Sequence, residues 1–182
     1  MYKLISLLLI LSFISLSAQE LPPINIYSPK DYGAENQNWS ISQSKEKYIY
    51  VANNSGLLEF NGSSWQLYPT PNETIIRSVK VFDRVIYTGF YMDFGFWKKN
   101  DLGTLTYTSI SKQLNIPILE DEQFWNILEL DEWMLFQSLQ RIYLYNLKTK
   151  QYKIIDSDTQ ITKMMKVDET IYFHQYKKGV YK

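Results

Sequence analysis

Short apolar runs alternate with polar turns along this chain, and beyond its first eighteen residues no stretch carries the spacing of an amphipathic helix. Asn38–Trp65 shows the pattern most plainly. Trp39 and Ile41 alternate with Ser40 and Ser42, and Lys45-Glu46-Lys47 forms a charged turn. A second strand runs Tyr48–Ala52, and Asn53-Asn54-Ser55-Gly56 supplies turn chemistry ahead of a third strand, Leu57–Phe60. Asn61-Gly62 reads as a type I′ hairpin turn, in which both residues take positive φ. A fourth strand, Trp65–Tyr68, follows. Four antiparallel strands in about thirty residues make one meander, the unit of a β-propeller blade.

The unit recurs. Ile49-Tyr50-Val51 returns as Ile86-Tyr87-Thr88, Met134-Leu135-Phe136 and Ile171-Tyr172-Phe173, in steps of 37, 48 and 37 residues. Three residues before each triplet stands an acid (Glu46, Asp83, Asp131, Asp168), read as a turn residue capped by its own carboxylate. First strands are expected over Trp39–Gln43, Ile76–Val81, Trp125–Leu130 and Thr162–Val167. Third strands fall at Leu57–Phe60, Gly95–Lys98, Ile142–Tyr145 and Gly179–Tyr181, and fourth strands at Trp65–Tyr68, Leu105–Thr108 and Tyr152–Ile155, with none in the last unit. The extra length of the middle step lies in Ser111–Glu122.

Repeats at roughly 40-residue spacing predict an all-β fold of β-propeller-type blades. The units lie near 36–70, 73–110, 122–156 and 160–182. The four-strand repeat favours this over a sandwich, which shares the short strands but not the unit. The last unit stops at its third strand. This predicts an incomplete propeller, an open arc, rather than a compact ring closed by a strand at Ile24–Tyr27. An open arc leaves blade edges available for self-association.

Residues 1–18 read as a cleaved export signal: Lys3, an apolar run Leu4–Leu16, then Ser17-Ala18 before Gln19. The apolar run is shorter than the roughly 20 residues a membrane-spanning helix needs. The remainder, 19–182, is the partial propeller, and the expected location is periplasmic or secreted.

Formal charge is zero, which argues against nucleic acid as a partner. The chain has no cysteine, which excludes thiolate chemistry and zinc–cysteine sites. His174 is the only histidine and has no partner at a catalytic or metal-ligand spacing, so it reads as a strand residue. Glu120, Asp121 and Glu122 read as a solvated acidic loop, lacking the alternating oxygen pattern of a calcium site. No catalytic residue, metal site or cofactor is predicted.

A binding surface is the better candidate. Loops entering each first strand, and those joining second to third strands, share one rim of a propeller. The first set brings Asn38, Trp39, Arg77, Phe124 and Trp125, and the second Asn53, Tyr91, Asp93 and Gln137. From these, Trp39, Arg77, Tyr91, Asp93, Trp125 and Gln137 form the predicted ligand site, with Tyr91 and Asp93 expected to be exposed in a turn. Aromatics beside amides and an arginine suit an oligosaccharide or a peptide. Packing between blades is the competing role for the two tryptophans.

The run Tyr32–Ile41, YGAENQNWSI, is followed by Tyr48–Asn53, Gly56–Phe60, Arg77-Ser78-Val79, Gly89–Trp97 and Gly103–Tyr107. In this order the words resemble the N-terminal sensor propeller of the two-component-regulator-propeller family, and in particular the triple-tyrosine-motif regulators of Bacteroidetes. The resemblance implies a periplasmic ligand-sensing part of a transmembrane signalling or transcription regulator, non-catalytic by itself. A secreted propeller enzyme acting on a glycan, its acids drawn from Asp93, Glu120, Asp121 or Glu122, and a protein-binding scaffold are the alternatives.

Overall fold

The computed structural model describes residues 22–182, so the export signal read in 1–18 lies outside the described residues. Four small antiparallel sheets follow one another as the blades of a β-propeller. Blade 1 holds β1 (Asn38–Gln43), β2 (Ile49–Asn53), β3 (Gly56–Phe60) and β4 (Trp65–Tyr68). Blade 2 holds β5 (Ile76–Phe82), β6 (Val85–Phe90), β7 (Asp93–Lys99) and β8 (Leu105–Ser109). Blade 3 holds β9 (Asn126–Leu130), β10 (Trp133–Gln137), β11 (Arg141–Asn146) and β12 (Tyr152–Asp156). Blade 4 holds β13 (Ile161–Val167), β14 (Thr170–Gln175) and β15 (Gly179–Tyr181). Each sheet is a plain meander in chain order. Two four-residue helices accompany them: α1 (Pro29–Tyr32) before blade 1, and α2 (Ile110–Gln113) in the insertion after blade 2. Neither was legible as a periodic run, because a single turn is too short to show a period.

Cores lie between blades, as a stack of two-faced sheets requires. Tyr50, Ala52 and Leu57 of blade 1 meet Ile76, Val79, Ile86 and Trp97 of blade 2. Tyr87 and Phe94 of blade 2 meet Phe124, Ile127, Met134, Phe136 and Tyr143, with Ile110 and Ile116 of the insertion closing the cluster. Phe94 lies against Phe136 with ring centroids 4.3 Å apart. Leu135 and Ile142 of blade 3 meet Ile161 and Met164 of blade 4. Burial pushes the Tyr87 hydroxyl in the second of these cores up to about 12.

The alternation in β1 has the opposite sense to that expected from hydrophobicity. Ile41 is 68% exposed, while Ser40 and Ser42 turn toward blade 2. The Val81 N–H donates to Ser42 Oγ at 2.9 Å, and Ser40 Oγ lies 3.4 Å from both the N–H and the carbonyl of Val79. Inner strands of successive blades come so close that small hydroxyls fit and large apolar groups do not. The device recurs: Ser78 Oγ donates to the Phe124 carbonyl, and Asn126 Nδ2 to that of Met164, both at 2.8 Å. Ion pairs span the same interfaces, Lys99 with Glu59 between blades 1 and 2, and Lys80 with Glu129 between blades 2 and 3.

Turn chemistry differs from expectation at two places. Asn61-Gly62 is not a two-residue hairpin, since Phe60 pairs with Trp65 and four residues form the loop. Only Gly62 has positive φ, at 96°; Asn61 instead accepts the N–H groups of Ser63 and Ser64 on its side-chain oxygen. The recurring hairpin aspartates do not cap through their carboxylates. Asp83, Asp131 and Asp168 sit in the left-handed region, at φ of 45°, 50° and 50°, a conformation Asp tolerates better than most residues. In blade 1 Lys47, not Glu46, holds that conformation.

The closing strand weighed at Ile24–Tyr27 does not form. Ile24 and Ile26 are exposed, and Tyr27 packs on Phe60 and Trp65 of blade 1 instead. Among the described residues β15 pairs only with β14. No helix among them is long and apolar enough to cross a membrane.

Candidate functional site

Irregularities at the start of inner strands build the site. The β1–β2 register slips between Asn38 and Ser40, and the β5–β6 register between Ile76 and Ser78. A bulge re-aims the extra residue away from the ladder. The re-aimed residues are Trp39 and Arg77. Trp125 stands immediately before β9, its N–H donating to the Gln137 carbonyl at 2.8 Å. Blade 4 slips in the same way between Ile161 and Lys163, and Thr162 is the residue concerned.

Three of these side chains, from three blades, come together. The Arg77 guanidinium carbon lies 4.1 Å from the Trp39 ring centroid and 4.8 Å from that of Trp125. The two indoles meet edge to face, 6.0 Å apart. A cation over an aromatic face is attracted by the ring quadrupole. Arg77 Nε–H donates to Gln123 Oε1 at 2.7 Å, and Trp39 Nε1–H to Asn54 Oδ1 at 2.8 Å. Arg77 Nη1 is buried with no hydrogen-bond partner. Burial holds the guanidinium below its ordinary value, since desolvation disfavours the charged form. Yet Trp39 and Trp125 remain 41% and 36% exposed, so the stack is a partly open surface rather than a closed core.

The insertion after blade 2 places Gln123. Glu122 is buried, accepting from the Tyr143 hydroxyl at 2.6 Å, from Ser138 Oγ, and from the Leu119 N–H at 2.9 Å. Its carbonyl accepts the Met92 N–H at 2.8 Å, and Gln123 bridges to Tyr91. The expected solvated acidic loop is therefore corrected at Glu122, which fastens the insertion to blade 3. Asp121 accepts from the exposed Tyr91 hydroxyl at 2.6 Å, a bond that raises the Tyr91 pKa.

The predicted site residues separate into two groups. Trp39, Arg77 and Trp125 are assembled, and Tyr91 adjoins them through Gln123. Asp93 and Gln137 are buried instead. Asp93 belongs to β7, not to the turn, because Phe90 pairs with it and only Tyr91-Met92 remain as the loop. Its carboxylate accepts from Ser109 Oγ at 2.6 Å and from Ser111, anchoring α2. Gln137 Nε2–H donates to the Ile161 carbonyl at 2.8 Å, tying blade 3 to blade 4. Asn53 and Phe124 are also fully buried. Asn53 Nδ2–H donates to the Glu35 carbonyl at 2.7 Å and to Asn38 Oδ1 at 2.8 Å, holding the entry to β1. The residues missed from sequence are Gln123 and Asn54, which touch the cluster but carry no periodic signal.

No family model and no curated protein matches the chain. Solved structures do resemble it. The extracellular domain of the hybrid two-component system BT3049 from B. thetaiotaomicron aligns over 86% of this chain and 24% of its own, at TM-score 0.67 and 13% identity. The extracellular domain of the one-component system BT4673 from the same organism aligns over 79% of this chain and 20% of its own, at TM-score 0.57 and 18% identity. A Bacteroides caccae protein of unknown function aligns over 76% of this chain and 53% of its own, at TM-score 0.54 and 10% identity. The chain thus spans a quarter or less of the two regulator domains, and its fold is the one found in the extracellular domains of Bacteroides regulatory systems, as the sequence resemblance implies.

Proposed function

We propose that the chain is an exported, non-catalytic sensing domain that binds a small soluble ligand at the mouth formed by Trp39, Arg77 and Trp125, as part of a signalling system. One observation carries this reading: three blades contribute one side chain each to a partly exposed aromatic–cation cluster. A ligand bound there contacts three blades at once, which is how occupancy alters their relative packing and becomes a signal. The extracellular regulator domains of like fold support the same direction. Exposed indole faces with the amides of Asn54 and Gln123 suit a saccharide, whose C–H faces stack while its hydroxyls hydrogen-bond.

The enzyme alternative has little to work with. Asp93 and Glu122, two of its four candidate acids, are buried and engaged by hydroxyl groups. A glycan-array screen run beside a hydrolysis assay on the same oligosaccharides separates the two readings. Retention without turnover is expected; released shorter oligosaccharides would overturn the sensing assignment.

A further inference from the structure

The three arginines of the chain are not treated alike. Arg141 donates to Asp156 at 2.6 Å, and Arg84 lies 3.4 Å from Glu46. Among the described residues Arg77, the one at the mouth, forms no ion pair. It is also the one whose Nη1 is buried without a partner. Taking a guanidinium out of water without a counter-ion is unfavourable. The neutral Gln123 oxygen and two ring faces offset part of that cost but supply no negative charge. The acidic groups nearby make no ion pair with Arg77: Asp121 accepts from Tyr91, Glu122 from Tyr143 and Ser138, and Glu35 from Asn54, while Glu120 is exposed without a partner among the described residues.

We infer that the mouth is specific for an anionic saccharide, of which a uronate is the simplest case, with the ligand carboxylate serving as the missing counter-ion of Arg77. This rests on the binding reading above and narrows it. The guanidinium is held at Nε by Gln123 and flanked by rings on two sides, so its remaining N–H groups are oriented before the ligand arrives. A sugar ring bearing the carboxylate then lies against the exposed indole of Trp39 or Trp125. Arginine suits this role better than lysine, because its planar fork stacks on indole while Nη2, neither bonded nor buried among the described residues, faces the ligand carboxylate.

The test uses two probes that differ in charge and in one methyl group per residue: an oligogalacturonate of three or four residues, and the same oligomer with every carboxyl methyl-esterified. Binding to residues 19–182 is followed by calorimetry at two salt concentrations. The acid form is expected to bind roughly tenfold or more tighter than the ester, and the preference to shrink as salt rises. Arg77→Met is expected to erase the preference while leaving weak ester binding, and Arg77→Lys to restore part of it. Circular dichroism verifies that each variant is folded, and the lysine variant carries the test if the methionine variant is not. Equal binding of acid and ester, or a preference that survives Arg77→Met, overturns the anionic specificity and leaves the binding mouth standing. Binding of neither probe overturns this inference. In that case the glycan array decides the broader reading separately, through its neutral sugars.

Discussion

The outward face of blade 1 is roofed by the segment that precedes it, whereas among the described residues nothing covers the outward face of blade 4. On blade 1, Val51 and Leu58 are buried beneath Tyr32, with Ala34 and Trp65 packed around them. The roof has its own local logic. Pro29 opens α1 with φ already near the helical value, Ser28 and Asp31 form a capping box, and Gly33 closes the turn at φ 65°. On blade 4, Met165, Val167 and Val180 are 45%, 50% and 66% exposed. Blade 4 also has three strands where the others have four. A sheet with two faces needs two neighbours, and on blade 1 a short helical segment takes the place of one of them.

The largest expected effect tests that contrast directly. Leu58→Ala should destabilise by about 2–4 kcal/mol, because a fully buried side chain under the roof leaves a cavity. Val167→Ala on the bare face should stay within roughly 0.5 kcal/mol of the parent. Urea unfolding of both variants measures the difference, and equal losses would erase the contrast between the two blades.

A smaller loss is expected at the blade 1 turn. Gly62 has φ 96°, and a Cβ there would meet nothing within 4 Å, so the cost of Gly62→Val falls chiefly on the backbone conformation, roughly 1 kcal/mol or somewhat more. The melting midpoint reads it. An unchanged midpoint would mean the loop relaxes to another turn.

Acid should act on the interface between blades 2 and 3. Lys80 Nζ lies 2.7 Å from Glu129 Oε2. Burial raises the Glu129 pKa, but the Lys80 contact, the backbone and the charges of Lys80 and Lys166 together outweigh it, and the net shift is downward from 4.5. A carboxylate with a depressed folded value contributes stability above its unfolded value, and this is lost as pH falls through the folded one. Both groups are partly solvated, so the contribution is about 0.5–1 kcal/mol. Glu129→Gln should therefore flatten the stability profile from just above 4.5 downward and lower stability at neutral pH. A profile parallel to the parent across that window would remove the pair from the account.

The smallest effect on stability concerns the bare blade. Val180 is exposed on β15, whose outer edge carries no neighbour among the described residues. We propose that this edge mediates self-association, since unpaired N–H and C=O groups template another strand. The flanking lysines are partly occupied, Lys178 with Asp158 and Lys177 over the Tyr176 ring. Val180→Lys should change the unfolding midpoint by a few tenths of a kcal/mol at most while reducing the associated fraction in sedimentation velocity. Association that is unaffected would move the contact away from β15.

Blade number, strand order and most strand bounds were legible in the amino-acid sequence, because each meander is local: its turns and alternation lie within about forty residues of one another. What the sequence did not disclose depends on contacts between units. It showed Trp39 and Ile41 alternating with Ser40 and Ser42, and only the close approach of β1 to β5 decides that the serines face the next blade. It offered Asp93 and Gln137 as rim groups, and only the strand register of β7 and the nearness of β13 bury them. Trp39, Arg77 and Trp125 were legible as rim residues, but the place of the arginine between the two indoles was not. Bulges in β1 and β5 and the path of the insertion through Glu122 and Gln123 bring them to one point. Polar and apolar pattern encodes which residues are strands. Where two strands from different units meet is set by packing across the whole array, and the candidate site lies at such a meeting.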